Sequence, residues 1–174
     1  MIENLRVQGS HALETWKSAP LQLLIAHIIE HYHLGARLEM ARLETLSEAA
    51  VLLEDRERPE LLEFRNEIAR FCQEFRAHMA MEERSLFPYI LDLEQGRTPG
   101  TPGTLMHPLM KLLEDEHQAE TALFRRLRAL AAERSLPVRP GPLQARLQHA
   151  FRTMERSLQG HIFLENQVLF RRIP

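Results

Sequence analysis

His78-Met-Ala-Met-Glu82-Glu83-Arg-Ser-Leu86-Phe87-Pro88 is the stretch from which the rest of the chain can be read. His78 and Glu82 are four residues apart, which on a helix puts both side chains on one face, one turn apart. Ala69, Phe71, Cys72, Phe75, Met79 and Leu86 recur at mixed three- and four-residue steps, the period of an amphipathic helix. An imidazole and a carboxylate on the apolar side of such a helix need a partner, because burying either one unpaired is costly. A metal ion is one such partner.

The stretch occurs twice. His161-Ile-Phe-Leu-Glu165-Asn-Gln-Val-Leu169-Phe170 repeats its grammar at an offset of 83 residues: His, three residues, Glu, three residues, Leu-Phe. At an offset of 84, His33 falls on His117. Around that pair Ile25 matches Leu109, Ile28 matches Leu112, Ile29 matches Leu113, Glu30 matches Glu114, Leu43 matches Leu127 and Leu46 matches Leu130. The chain therefore reads as two helical hairpins, 18–94 and 104–174, each with one lone histidine and one His-x-x-x-Glu pair, behind a short N-terminal extension, 1–17.

Composition agrees. The 174 residues suffice for one domain with a real core. Only 7 are glycine, and Leu, Ala, Glu, Arg and Gln, all good helix formers, are abundant. The net charge of −2 comes from interspersed charges of both signs, so there is no basic face for nucleic acid or a membrane surface. No apolar run approaches the ~18 residues of a spanning helix, and no secretory signal is visible, so the expected location is the cytoplasm. Cys72 is the single cysteine, which rules out an intrachain disulfide and a cysteine-rich metal site; its apolar neighbours mark it as a core residue.

In order, residues 1–17 hold at most a short helix ending near Trp16. Ser18-Ala-Pro20 reads as a cap and first turn of a helix that runs to about Leu53. Pro59 opens a second helix that reaches about Pro88, or Leu93 beyond a kink. Gln95 to Gly103 is the clearest loop. A third helix spans His107 to about Arg134, and a fourth follows the Ser135–Pro142 linker and ends at Arg172. Four long helices with short connections give an all-α, up-down-up-down bundle, with the first and third helices at opposite corners.

If the hairpins are related by a pseudo-twofold, His33, His78, Glu82, His117, His161 and Glu165 meet at one level. Four neutral imidazoles and two carboxylates are the donor set of a non-haem centre of two metal ions. Such a set leaves positions for a small ligand: oxygen, nitric oxide, hydroxide or peroxide. Iron is the expected metal, with manganese next; zinc more often takes four ligands at a single centre.

The arrangement resembles the hemerythrin-like, or HHE cation-binding, four-helix bundles over nearly the whole chain from Trp16. Within them it is most similar to the di-iron proteins for repair of iron centres. The residues that carry this are Trp16-x-x-x-Pro20-Leu21, Ile28-Ile29-x-x-Tyr32-His33, His78-Met79-x-x-Glu82-Glu83-x-x-Leu86-Phe87-Pro88, Glu116-His117 and His161-Ile162-x-Leu164-Glu165-Asn166-x-x-Leu169-Phe170. The resemblance implies that the six residues hold two irons and that the protein acts on iron–sulfur clusters damaged by nitric oxide or oxidants, with iron–sulfur proteins as partners. It does not extend to the oxygen carriers. They resemble a His-x-x-x-His on the third helix and an aspartate five after the last histidine, where this chain has Thr121 and Asn166. The chain also departs from the pattern of many repair proteins: with Cys72 its single cysteine, their N-terminal domain with paired cysteines is not expected here, and Ala36 stands where they carry a second histidine, although Arg37 is kept.

Two other readings remain open from sequence: reversible oxygen or iron binding without turnover, and an oxidase or catalase-like activity. No residue reads as a catalytic acid, base or nucleophile. His11, His27, His31, His107 and His149 have no repeat partner and are expected outside the site. Glu83 and Glu116 lie about 100° round the helix from the candidate ligands, which suits solvated or supporting roles. Glu30 and Glu114, each three before a lone histidine, are expected beside the centre or in a channel. Phe163 and Phe170 fit either the core or a dimer face, so monomer and homodimer are both open.

Overall fold

A computed structural model of the chain describes residues 15–54, 59–98, 103–132 and 141–173. Every regular element among them is helical. The first rod, α1, is Leu21–His27, a π-helical segment Ile28–His33, and Leu34–Glu54. The second, α2, is Pro59–Met81, π-helical Glu82–Leu86, and Phe87–Glu94. A 3-10 turn at Gly103–Leu105 leads into α3, Met106–Ala132. The fourth, α4, is Pro142–Leu164, π-helical Glu165–Leu169, and a 3-10 turn at Phe170–Arg172.

Burial gives the direction of each rod. One apolar cluster gathers Leu24, Ile25 and Ile28 of α1, Leu86, Phe87 and Ile90 of α2, Leu113 of α3 and Val168, Leu169 and Phe170 of α4. The other gathers Ala36 to Val51, Leu61 to Met79, Phe124 and Leu127, and Leu147 to Leu158. So α1 and α3 run from the first cluster to the second, and α2 and α4 run back: the chain is an up-down-up-down bundle. α1 packs on α2 and α4, and α3 packs on the same two, which leaves α1 and α3 at opposite corners as expected. Between the clusters, every rod passes through one polar layer.

The π segments are the local surprise. In each, an N–H reaches back five residues rather than four: Leu34 to the carbonyl of Ile29, Phe87 to Glu82, Phe170 to Glu165. Such a turn holds one extra residue and is common at functional sites. All three lie at the polar layer, and α3 has none. This corrects the pairing of the hairpins. Ile28 is fully buried while Leu112, its expected mate, is 48% exposed; the buried counterpart is Leu113. The offset of 84 holds from His33 onward and becomes 85 before it, because α1 carries a π turn there and α3 does not.

One helix end differs from expectation, and another takes the longer of the two courses left open for it. α1 starts after Pro20, which is its N-cap, and the Ser18 hydroxyl donates to the carbonyl of Thr15. The opening N–H groups of Leu21 and Gln22 instead donate to the Glu94 carboxylate at the end of α2, at 2.6 and 3.2 Å. Pro88 does not end α2; helix continues to Glu94. A proline inside a helix breaks the four-residue ladder, and here the ladder has already shifted in the π turn just before it. α2 stops at Gly96, whose φ of 65° suits a residue without Cβ, with Arg97 N–H bonded to Asp92 and Gly96 N–H to Leu93. The expected extension, 1–17, and the 133–140 linker lie almost wholly outside the described residues, as does His11; residues 15–18 are helical.

Candidate metal centre

The polar layer contains all six residues that the repeat singled out, each at most 3% exposed. Ligand atoms of His78, Glu82, His117, His161 and Glu165 lie within 4.8 Å of one another. His33 joins them, with Nε2 3.3 Å from His161 Nε2 and 3.4 Å from Glu82 Oε2. The histidines fall into two pairs: His33 with His161, and His78 with His117, whose Nε2 atoms are 3.0 Å apart. Glu82 turns Oε1 toward His78, at 3.1 Å, and Oε2 toward His33 and His161, at 3.4 and 3.5 Å. Glu165 places Oε2 2.7 Å from His161 and 3.1 Å from His117, and Oε1 3.9 Å from His33.

Proton positions follow from the outer edges of the rings. Carboxylates and amide oxygens only accept, so Nδ1 of His33 donates to Glu83 at 2.6 Å, Nδ1 of His78 to Glu116 at 2.9 Å, and Nδ1 of His117 to Asn166 Oδ1 at 3.0 Å. Those three rings then turn Nε2 inward, as a lone pair wherever the imidazole is neutral. Facing them are four carboxylate oxygens of Glu82 and Glu165, buried and without a hydrogen-bond partner. Acceptors facing acceptors in a dry interior are costly unless positive charge lies between them. These residues could hold a cation, and their rings are hydrogen-bonded from outside as metal-bound histidines are.

Electrostatics without a metal point the same way. Burial pushes Glu82 upward, but the imidazoles of His161, His33 and His78 outweigh it and hold its carboxyl well below the usual range. Burial pulls His161 down, and Glu165 and Glu82 outweigh it, so its pKa stands well above normal. At His78 burial is overcome by Glu82, Glu120 and Glu116, and the pKa is raised to about 9. The layer is built to hold positive charge, as protons or as metal.

Phenyl rings wall the layer. Phe87 stacks on His33 at 5.8 Å and Phe170 on His117 at 6.2 Å, a pair that the hairpin repeat relates. Phe75 packs on both His78 and His161, at 6.0 and 5.6 Å. Phe170 is thus core, while Phe163 is 45% exposed. Tyr32 lies across α4 at Gly160, where an added Cβ would sit 2.4 Å from its ring.

Sequence reasoning placed Glu83 and Glu116 beside the candidate ligands, and they bond to His33 and His78 respectively. Arg37 extends the first of these, donating to Glu83 at 2.7 Å. Glu30 and Glu114 are different: Glu30 is exposed, Glu114 half-buried, and neither is among the carboxylates touching the histidines. The residue missed was Glu120. It is 6% exposed, with Oε1 3.7 Å from His78 Nδ1, and burial above all raises its pKa to about 7 against the pull of His78 and His161. Its signal was available as His117-x-x-Glu120, two residues on one helix face. The His27 and His31 rings lie 4.4 Å apart and tilted at 46°, His27 stacks on Trp16, and both stay outside the layer with His107 and His149.

The hemerythrin family, described as the hemerythrin HHE cation binding domain, matches residues 24–173. The chain belongs to this family. Among curated relatives, it is 29% identical over 159 residues to the iron-sulfur cluster repair protein DnrN of Neisseria gonorrhoeae, covering 91% of this chain and 94% of that one. It is 27% identical over 157 residues to the iron-sulfur cluster repair protein YtfE of Edwardsiella ictaluri, covering 90% of this chain and 67% of that one. With the iron-sulfur cluster repair protein ScdA of Staphylococcus haemolyticus the identity is 24% over 149 residues, covering 86% and 65%. This HHE bundle has no described helix long and apolar enough to cross a membrane.

Proposed function

We propose that the chain holds two iron ions, and that His33, His161, His78, His117, Glu82 and Glu165 are the residues that would hold them. The centre meets nitric oxide or reactive oxygen, and the protein serves the repair of damaged iron–sulfur clusters, with iron–sulfur proteins as partners. The observation that carries the reading is the buried layer in which four imidazole Nε2 atoms and two carboxylates converge, split into two halves by the carboxylates. Four imidazoles and two carboxylates suit iron, with manganese next, better than a four-ligand zinc site. The names of the relatives supply the repair context. Iron bound here would supply redox chemistry and positions for a small ligand. The chain's residues orient the imidazoles through Glu83, Glu116 and Asn166, and the phenyl walls keep water away.

Elemental analysis of tag-free protein tests the centre, beside a variant with His78→Ala and His161→Ala. About two irons per chain, lost in the variant, is the expected result. No metal in either protein after anaerobic ferrous loading would leave a helical bundle without this chemistry. Repair is tested separately, by recovery of activity in an iron–sulfur enzyme damaged by nitric oxide; a loaded protein that restores nothing sinks that half. The enclosure by phenyl rings also suits a second reading, reversible oxygen or iron binding without turnover. A colour change on oxygenation that reverses under vacuum would favour it, and irreversible oxidation to ferric protein would count against it.

A further inference from the structure

Phenylalanines wall the polar layer: Phe87 on His33, Phe170 on His117, and Phe75 on His78 and His161. A benzene ring resists one-electron oxidation under conditions that leave a protein intact. Phenol and indole rings do not, and the chain has only 2 tyrosines and 1 tryptophan. One of each stands in a single stack beside the layer. The Trp16 indole lies on the His27 imidazole, with ring centres 4.4 Å apart and planes 26° apart, and His27 meets Tyr32 edge-on at 5.7 Å. These are contact distances for aromatic rings. At the inner end, Tyr32 is joined through the backbone to His33. Its ring also presses on Gly160, next to His161, so closely that an added Cβ would sit 2.4 Å away. At the outer end Trp16 is half-buried, and Arg172 donates to its carbonyl at 3.0 Å, which ties it to α4. The other tyrosine, Tyr89, packs in the first apolar cluster.

We propose that Trp16, His27 and Tyr32 form a relay that carries single electrons from a low-molecular-weight thiol at the surface to the polar layer. The inference rests on the metal-centre reading above, with hydrogen peroxide as the oxidant taken up there. Tyr32 gives one electron inward and its hydroxyl proton to water. Trp16 restores the electron, water returns the proton, and the thiol refills the indole. His27 bridges the two rings and is not itself oxidised. Two passages join two thiols as a disulfide, and the two electrons and two protons they release turn one peroxide into two waters. Burial raises the pKa of Tyr32, so the phenol keeps its proton until the electron leaves.

Pulse radiolysis of metal-free protein with azide radical, which takes an electron from indole, tests the outer half without any metal. Indolyl absorbance is expected to decay as phenoxyl absorbance grows, at a rate independent of protein concentration. Tyr32→Phe keeps a ring on Gly160 and is expected to abolish the conversion. His27→Leu removes the bridging ring and is expected to slow it, and Tyr89→Phe to leave it unchanged. Conversion that survives Tyr32→Phe, or keeps its rate in His27→Leu, would overturn the relay. The inner half is read by peptide mass spectrometry after treatment with hydrogen peroxide in the absence of thiol. Oxidised Trp16 is expected in iron-loaded protein and not in metal-free protein, and is expected to be lost in Tyr32→Phe or on adding thiol. Equal oxidation of Trp16 in loaded and metal-free protein, or in loaded Tyr32→Phe, would also overturn the relay. The two readings fail separately. Iron uptake without radical conversion sinks the relay alone, whereas a protein that takes up no iron sinks the centre, and this inference with it, even where the conversion is intact.

Discussion

Asn166 holds His117 from outside the layer, accepting from Nδ1 at 3.0 Å. Asn166→Ala removes that acceptor, so the ring loses its fixed tautomer and its aim. Metal affinity is expected to fall about 10- to 100-fold, read by competition with a chelator of known strength. Cys72 makes the opposite case. Burial first, then Glu44, pushes its thiol to about 12 against the opposing pull of Arg76, so almost no thiolate exists near neutral pH. Iodoacetamide at pH 8 is expected to leave the folded protein unmodified and to label it fully in denaturant, by intact mass; rapid labelling of native protein would contradict the burial. At this scale the cluster of candidate ligands was legible because a helix repeats on a fixed step: His-x-x-x-Glu twice and a lone histidine twice fall at one level. Glu83 and Glu116 were legible only as neighbours, since adjacency says which way a side chain leaves the helix and not how far it bends back. Glu120 was legible only as His117-x-x-Glu120, a pair on one helix face that the repeat does not mark, and its burial depends on how α2 and α3 pack together.

At the scale of the element, helix ends were harder to read than helix faces. Ser18 looked like a cap, but the acceptor at the start of α1 is Glu94, 73 residues after Leu21. No local pattern announces a carboxylate from another helix. Glu94→Ala is expected to cost about 1 kcal/mol, the usual loss when a helix start forfeits its acceptor. Amide exchange should quicken at Leu21 and Gln22 in particular; unchanged exchange there would mean water replaces the carboxylate at no cost. The contact of α1 with α4 at Gly160 is similarly specific. A leucine there would meet the Tyr32 ring, and Gly160→Leu is expected to destabilise metal-free protein by about 1–3 kcal/mol, seen as a lower melting temperature.

For the whole molecule, the antiparallel arrangement could be read from four periodic segments and short connections, and the two apolar clusters on either side of the layer bear it out. The cost of that plan is a band of buried charge through the middle of the core. Metal should therefore act as part of the fold. At free iron about 100 times the dissociation constant, stability is expected to rise by about 2.7 kcal/mol, measured as a metal-dependent shift in calorimetric melting. A melting temperature indifferent to iron would mean that the layer is satisfied without it.

The π turn in α1 has a consequence for anyone comparing the two hairpins, or this chain with others. A helix is a clock that advances about 100° per residue, and a π turn lets one tick pass without moving the hand. On the His33 side of that turn the two halves keep the same time; on the other side they differ by one. Any comparison made at a single fixed spacing will therefore set a core residue of one half against a solvent residue of the other, and will score as divergence what the fold treats as identity.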